Sequence, residues 1–148
     1  MKCLILTVGK EKDDSLEDGI SHFKQRLLRY VPVEILYIDH QVTKEKEGLA
    51  IMEKLKKEDY VILLDERGSE LTSEGVADMI GNRMVDGVRR VVFIIGGAYG
   101  VSTDVTVRAN YVWRLSKLVF PHVLVRVILL EQLYRAMTIL KGEKYHHS

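Results

Sequence analysis

Arg89-Arg90-Val91-Val92-Phe93-Ile94-Ile95, followed directly by Gly96-Gly97-Ala98-Tyr99-Gly100, decides the fold class. From Val91 to Ile95 every residue is apolar, and most are β-branched. A strand with one face in water alternates apolar and polar residues, whereas one buried on both faces reads as a continuous apolar run. Cover on both faces comes from helices, so the spacing predicts an α/β fold with a mostly parallel sheet flanked by helices.

The same alternation extends in both directions. Upstream, Lys2–Val8 reads as a buried strand, and Ser15–Tyr30 carries Leu16, Ile20, Phe23 and Leu27 at helical spacing before Pro32. Val33–Ile38 is a second strand. Thr43 caps a helix bearing Leu49, Met52 and Leu55, Tyr60–Leu64 is a third strand, and Thr72-Ser73 opens a helix through Val76, Ile80 and Met84. Downstream, a short helix is expected near Asp104–Ala109 and a brief strand at Tyr111–Leu115. The last element is a helix over Pro121–Leu140, about 30 Å long, with proline in its first turn and Gly142 at its end. Its Val- and Ile-rich middle suits burial against a partner surface.

The chain has 148 residues, 47% hydrophobic and 29% charged, with one cysteine and two prolines. No linker or repeat interrupts it, and residues 1–148 read as one domain. Cys3 lies inside an apolar run and reads as an inert buried thiol, so a reducing compartment is expected. The N-terminal apolar stretch is too short for a signal peptide, and no segment is long enough to span a membrane, which predicts a cytoplasmic protein. The net charge is +1, unevenly spread: residues 1–100 hold 15 basic and 18 acidic side chains, and residues 101–148 hold 7 and 3. The basic end also carries His122, His146 and His147.

Ligands of open α/β sheets bind beyond the carboxyl ends of the strands. That directs attention to three expected loops, Asp65–Gly68, Gly96–Gly100 and Ser116–Pro121. The glycine loop lets a backbone approach a ligand with no Cβ between, or eases a tight strand exit. Its spacing is not the dinucleotide fingerprint, and no acidic residue follows at the distance a ribose requires, so a nicotinamide cofactor is disfavoured. Leu115-Ser116-Lys117-Leu118-Val119-Phe120-Pro121-His122 makes a poor regular element; it reads either as a packed connection or as a loop that buries a purine among apolar side chains. His122/Arg126 and Glu131/Arg135 are pairs one helical turn apart and read as surface pairs or as part of a dimer interface. The tail Lys141–Ser148 gathers basic, aromatic and imidazole groups able to pair phosphate, stack on a base and move a proton, or it simply frays. No histidine or cysteine spacing supports a metal site.

Taken in order, LLDERG, FIIGGAYG, LSKLVFPHVLVRVILLEQLYRA and the terminal KGEKYHH resemble one family across essentially the whole chain. It is the bacterial 23S ribosomal RNA pseudouridine-N3 methyltransferases of the SPOUT superfamily. The resemblance implies a C-terminal deep trefoil knot, a homodimer acting on 23S rRNA in the ribosome, and S-adenosylmethionine as cofactor, with no metal. By motif it places the cofactor against Leu64, Gly96, Leu115, Ser116, Lys117, Leu118, Val119 and Phe120. It assigns catalytic roles to His146, Tyr145 and Arg135, with His146 as proton acceptor or orienting group, acting within its own protomer or across the dimer. Arg126 and Lys141 either offset phosphate charge or, for Arg126, serve the structure. Two departures stand out: Asp39–Lys44 is shorter than is common in the family, and the tail ends His146-His147-Ser148 where a Lys or Arg usually follows Tyr-His. A non-catalytic ribosome- or nucleotide-binding module on the same fold is the alternative, distinguished by having no need of both cofactor loop and Tyr-His tail.

Overall fold

A computed structural model describes residues 1–147. The order is β1 (Lys2–Val8), α1 (Asp14–Leu27), β2 (Val33–Ile38), α2 (Lys44–Glu53), β3 (Tyr60–Ser69), α3 (Ser73–Val85), β4 (Arg90–Ile95), α4 (Thr103–Arg108), β5 (Tyr111–Trp113) and α5 (His122–Leu140). The five strands form one sheet in the order β2-β1-β4-β3-β5, and every pairing is parallel.

The doubly apolar strands are covered on both faces. Cys3, Ile5, Ile62, Val91, Phe93, Ile95 and Trp113 meet α1, α3 and α5 through Ile20, Leu27, Val76, Ile80, Leu129, Leu130 and Leu133. Leu4, Leu6, Val8, Leu63, Val92 and Ile94 meet α2 and α4 through Ile51 and Val105. Burial raises the Cys3 thiol pKa to about 12, so it stays protonated at neutral pH.

Local chemistry sets most boundaries. Asp13, Thr43, Thr72 and Ser102 each accept a backbone N–H at the start of a helix. At the end of α5, Glu143 N–H donates to Thr138 O (2.9 Å) and Gly142 N–H to Ile139 O (3.1 Å), with Gly142 at φ +69°. This is the paired 6→1 and 5→2 closure that favours glycine.

Four expectations need correction. The first helix stops at Leu27, and residues 28–31 form a turn into Pro32, whose carbonyl accepts from Cys3 N–H. Leu49 on α2 is 63% exposed, because the helix turns Glu47, Gly48 and Ile51 inward. Pro121 is the N-cap of α5, not its first turn. Asp65–Gly68 is not a loop: β3 continues to Ser69, and Trp113 of β5 is in register with both Leu64 and Ser69 across an irregularity. There a Cβ on Gly68 would lie 2.5 Å from Val112 O and 2.8 Å from Trp113 N, so only glycine permits the two backbones to pass so closely.

Candidate active site

The carboxyl ends of β3, β4 and β5 open into one cavity of about 1250 Å³. Its lining includes Leu64, Gly96 and the entire Leu115–Phe120 loop, so residues separated by more than fifty positions share one surface. Leu64, the last β3 residue paired with β4, is in direct register with Ile95 at the end of β4. At the turn after β4, Gly100 N–H donates to Gly97 O (3.0 Å), and Gly100 takes φ +84°. A Cβ on Gly96 would lie 2.6 Å from Val101 Cγ1, so any larger residue displaces the buried residue that leads into α4.

The loop after β5 carries the donor set. Among the described residues, the only backbone amide from Ser116 to Phe120 that donates within the chain is that of Leu118, to Ser116 Oγ (3.0 Å). Apolar Leu64, Ile95, Leu115 and Phe120 therefore share the cavity with unspent amides. That combination suits a purine nucleoside, whose ring faces are apolar and whose edge is polar. Around the rim, Arg67 is tied to Asp65 (3.0 Å) and Arg114 to Glu70 (2.8 Å). The Arg67 guanidinium beside Asp65 holds that carboxyl below the usual range. Lys44 and Lys117 also line the cavity and form no ion pair among the described residues.

Arg126 is not in this cavity. It is 1% exposed and donates to Thr7 Oγ1 (3.1 Å), Gly9 O (2.9 Å) and Glu11 O (2.6 Å), with its guanidinium over the Tyr37 ring. Of its two expected roles, the structural one holds: it fastens α5 to the end of β1, and it does not pair with His122. His122 instead meets Glu11 Oε2 (3.3 Å), and the other oxygen of Glu11 meets His40 Nε2 (2.5 Å). Nothing local in the sequence signals this Glu11-centred group, because its members come from three separate segments.

Tyr145, His146 and Arg135 form a second cluster. Arg135 Nη2 pairs with Glu131 Oε1 (2.6 Å), which also accepts from Tyr145 Oη (3.2 Å). His146 Nδ1 lies 3.1 Å from Arg135 Nη1, and its Nε2 lies 2.7 Å from Glu74 Oε1. Burial, reinforced by Glu131, raises the Tyr145 phenol pKa. None of the three lines the cavity, and from Val125, the last α5 residue on its lining, to Arg135 the helix rises about 15 Å. The tail thus docks on its own chain at a distance from its own cavity. His147 is exposed, and Ser148 lies outside the described residues. Among the described residues, no group of three or more His, Cys, Asp or Glu side chains is arranged to hold a metal ion, and no helix is long and apolar enough to cross a membrane.

Residues 1–146 match the profile of a family described as "Predicted SPOUT methyltransferase". The chain is 44% identical to the "Ribosomal RNA large subunit methyltransferase H" of Clostridium beijerinckii, with 99% of each chain covered. It is 43% identical to the protein of that name from Cytophaga hutchinsonii, covering 99% of this chain and 100% of that one. The protein of that name from Halothermothrix orenii is 41% identical, with 99% of each covered.

Proposed function

The chain belongs to the SPOUT methyltransferase family, and on that premise we propose that it methylates N3 of a pseudouridine in 23S ribosomal RNA, using S-adenosylmethionine and acting on the ribosome as a homodimer in the cytoplasm. The observation that carries this reading is the convergence of Leu64, Gly96 and Leu115–Phe120 on one cavity, in a chain alike over nearly its full length to three proteins named as large subunit rRNA methyltransferases.

Leu64, Ile95, Leu115 and Phe120 supply apolar surface for an adenine, and the free amides of Ser116, Lys117, Val119 and Phe120 supply donors for its edge and for the ribose. When bound, S-adenosylmethionine supplies a methyl group already activated on a sulfonium. The chain's remaining tasks are to align the acceptor nitrogen and to favour its deprotonated form. Arg135 offsets the charge left on the base when N3 loses its proton, and His146, helped by Tyr145, orients the ring or takes that proton.

The roughly 15 Å along α5 between the cavity lining and Arg135 supports a dimer in which the tail of one protomer serves the cavity of the other. The shared wall of the Gly96–Val101 and Leu115–Phe120 segments supports a C-terminal trefoil knot over residues that fold as one domain.

Calorimetric titration tests the cofactor assignment. The wild type is expected to bind S-adenosylmethionine and S-adenosylhomocysteine but not NADH, and Gly96→Val to lose both adenosyl ligands. A folded wild type that binds neither overturns the assignment in favour of a binding module.

A further inference from the structure

We propose that Glu74, in the first turn of α3, is a positioning residue for the catalytic tail: it holds His146 through Nε2 and so fixes the imidazole as the Nε2–H tautomer, with Nδ1 facing Arg135. This rests on the reading of the tail as catalytic.

The argument begins with what each partner is able to do. A guanidinium has only donors, so across the 3.1 Å contact Arg135 Nη1 donates and His146 Nδ1 accepts. In a neutral imidazole the other nitrogen then carries the proton, and it lies 2.7 Å from Glu74 Oε1, a carboxylate oxygen that accepts. Both ring nitrogens thus have partners within this chain, so in this arrangement His146 orients the base, and it takes the N3 proton only when Nδ1 leaves Arg135. The ionisable groups in this network are Glu74 from α3, Glu131 and Arg135 from α5, and Tyr145 from the tail itself.

The residues behind Glu74 hold it in register with α5. Its neighbour Ser73 donates through Oγ to Gln132 Oε1 (2.8 Å), and Gln132 Nε2 donates to Glu131 Oε2 (2.8 Å). The other oxygen of Glu131 takes Arg135 Nε (2.9 Å) and Tyr145 Oη. Six side chains from α3, α5 and the tail therefore close a continuous chain from Glu74 through His146, Arg135, Glu131 and Gln132 back to Ser73. The Glu74 side chain is half-exposed and belongs to neither buried cluster, so its removal leaves the core intact.

A role for Glu74 confined to favouring the positive end of α3 makes a different prediction from positioning. Glutamine loses that charge but keeps an acceptor for Nε2–H, whereas alanine loses both. The experiment records ¹⁵N chemical shifts of the His146 ring in histidine-labelled protein for the wild type, Glu74→Gln and Glu74→Ala. Alongside it, kcat and KM are measured for methyl transfer to ribosomes whose 23S rRNA lacks the modification. Positioning predicts the Nε2–H pattern in the wild type and in Glu74→Gln, and tautomer averaging in Glu74→Ala. It also predicts that Glu74→Ala lowers kcat about tenfold, with an unchanged KM for S-adenosylmethionine, and that Glu74→Gln restores most of it. An unchanged His146 spectrum in Glu74→Ala overturns the proposal, as does a glutamine variant as impaired as the alanine one. A wild type that transfers no methyl group while its His146 spectrum responds to Glu74 overturns the catalytic reading of the tail, a result distinct from failure of the contact.

Discussion

Replacing Arg126 with Met keeps most of an apolar stem but removes every donor the guanidinium supplies. Three acceptors lose a partner: Thr7 Oγ1, Gly9 O and Glu11 O. Glu11 is exposed and its carbonyl regains water, but Thr7 and Gly9 are buried. A buried polar group left unsatisfied costs about 1–3 kcal/mol, so the two together cost about 2–6 kcal/mol. Relief of the desolvation of a buried guanidinium that no carboxylate pairs among the described residues offsets part of this. The expected net loss is about 3 kcal/mol, equivalent to roughly 6–12 °C in Tm at this chain length. Arg126→Lys should recover less than half, since one ammonium group cannot reproduce the fork that reaches three acceptors. Urea unfolding at neutral pH measures this as a shift in midpoint at constant slope. A stability within about 0.5 kcal/mol of wild type, combined with weakened RNA binding, would refute the reasoning and return Arg126 to the substrate surface.

Two further predictions follow from single contacts. Gly68→Ala should destabilise by about 1–3 kcal/mol on urea unfolding, because its Cβ meets the Val112 and Trp113 backbone and one of the two strands must shift to admit it; an unchanged midpoint would mean that the contact is looser than its geometry. The His40 pKa is raised, chiefly by its hydrogen bond to Glu11 and with help from Glu47, against the opposing effect of burial. Its stabilising contribution is therefore complete below the unfolded value of about 6.5 and is lost as pH rises through the higher folded value. An NMR titration should find its midpoint above the unfolded value in the wild type and lower in Glu11→Gln; equal midpoints in the two proteins would remove Glu11 as the cause.

The parts of this molecule legible in the sequence are those whose physics is local. Runs such as Val91–Ile95 lack the alternation of a half-wet strand, which gave away both the parallel sheet and its double cover. Thr43, Thr72 and the Gly142 turn marked helix ends because capping is decided within a few residues. The cavity was legible at one remove, through the rule that strand ends hold ligands, but the extended course of Asp65–Gly68 was not. Its strand conformation depends on β5, more than forty residues downstream, and not on its own turn-like composition. Arg126 was ambiguous for the same reason: its partners Thr7, Gly9 and Glu11 lie at the opposite end of the chain. Glu74 gave no signal, since its partner is 72 positions away. Leu49 shows the reverse failure, an apolar residue at helical spacing that the packing of Gly48 against Ser102 turns outward.

The central claim is methyl transfer to a pseudouridine of 23S rRNA, and its most direct test supplies the protein with methyl-labelled S-adenosylmethionine and ribosomes that lack the modification. Nuclease digestion and mass spectrometry then locate the label. The account predicts label on N3 of a pseudouridine in 23S rRNA, lost with Gly96→Val. Label on another base or on protein, or none from a folded protein that binds the cofactor, would contradict it.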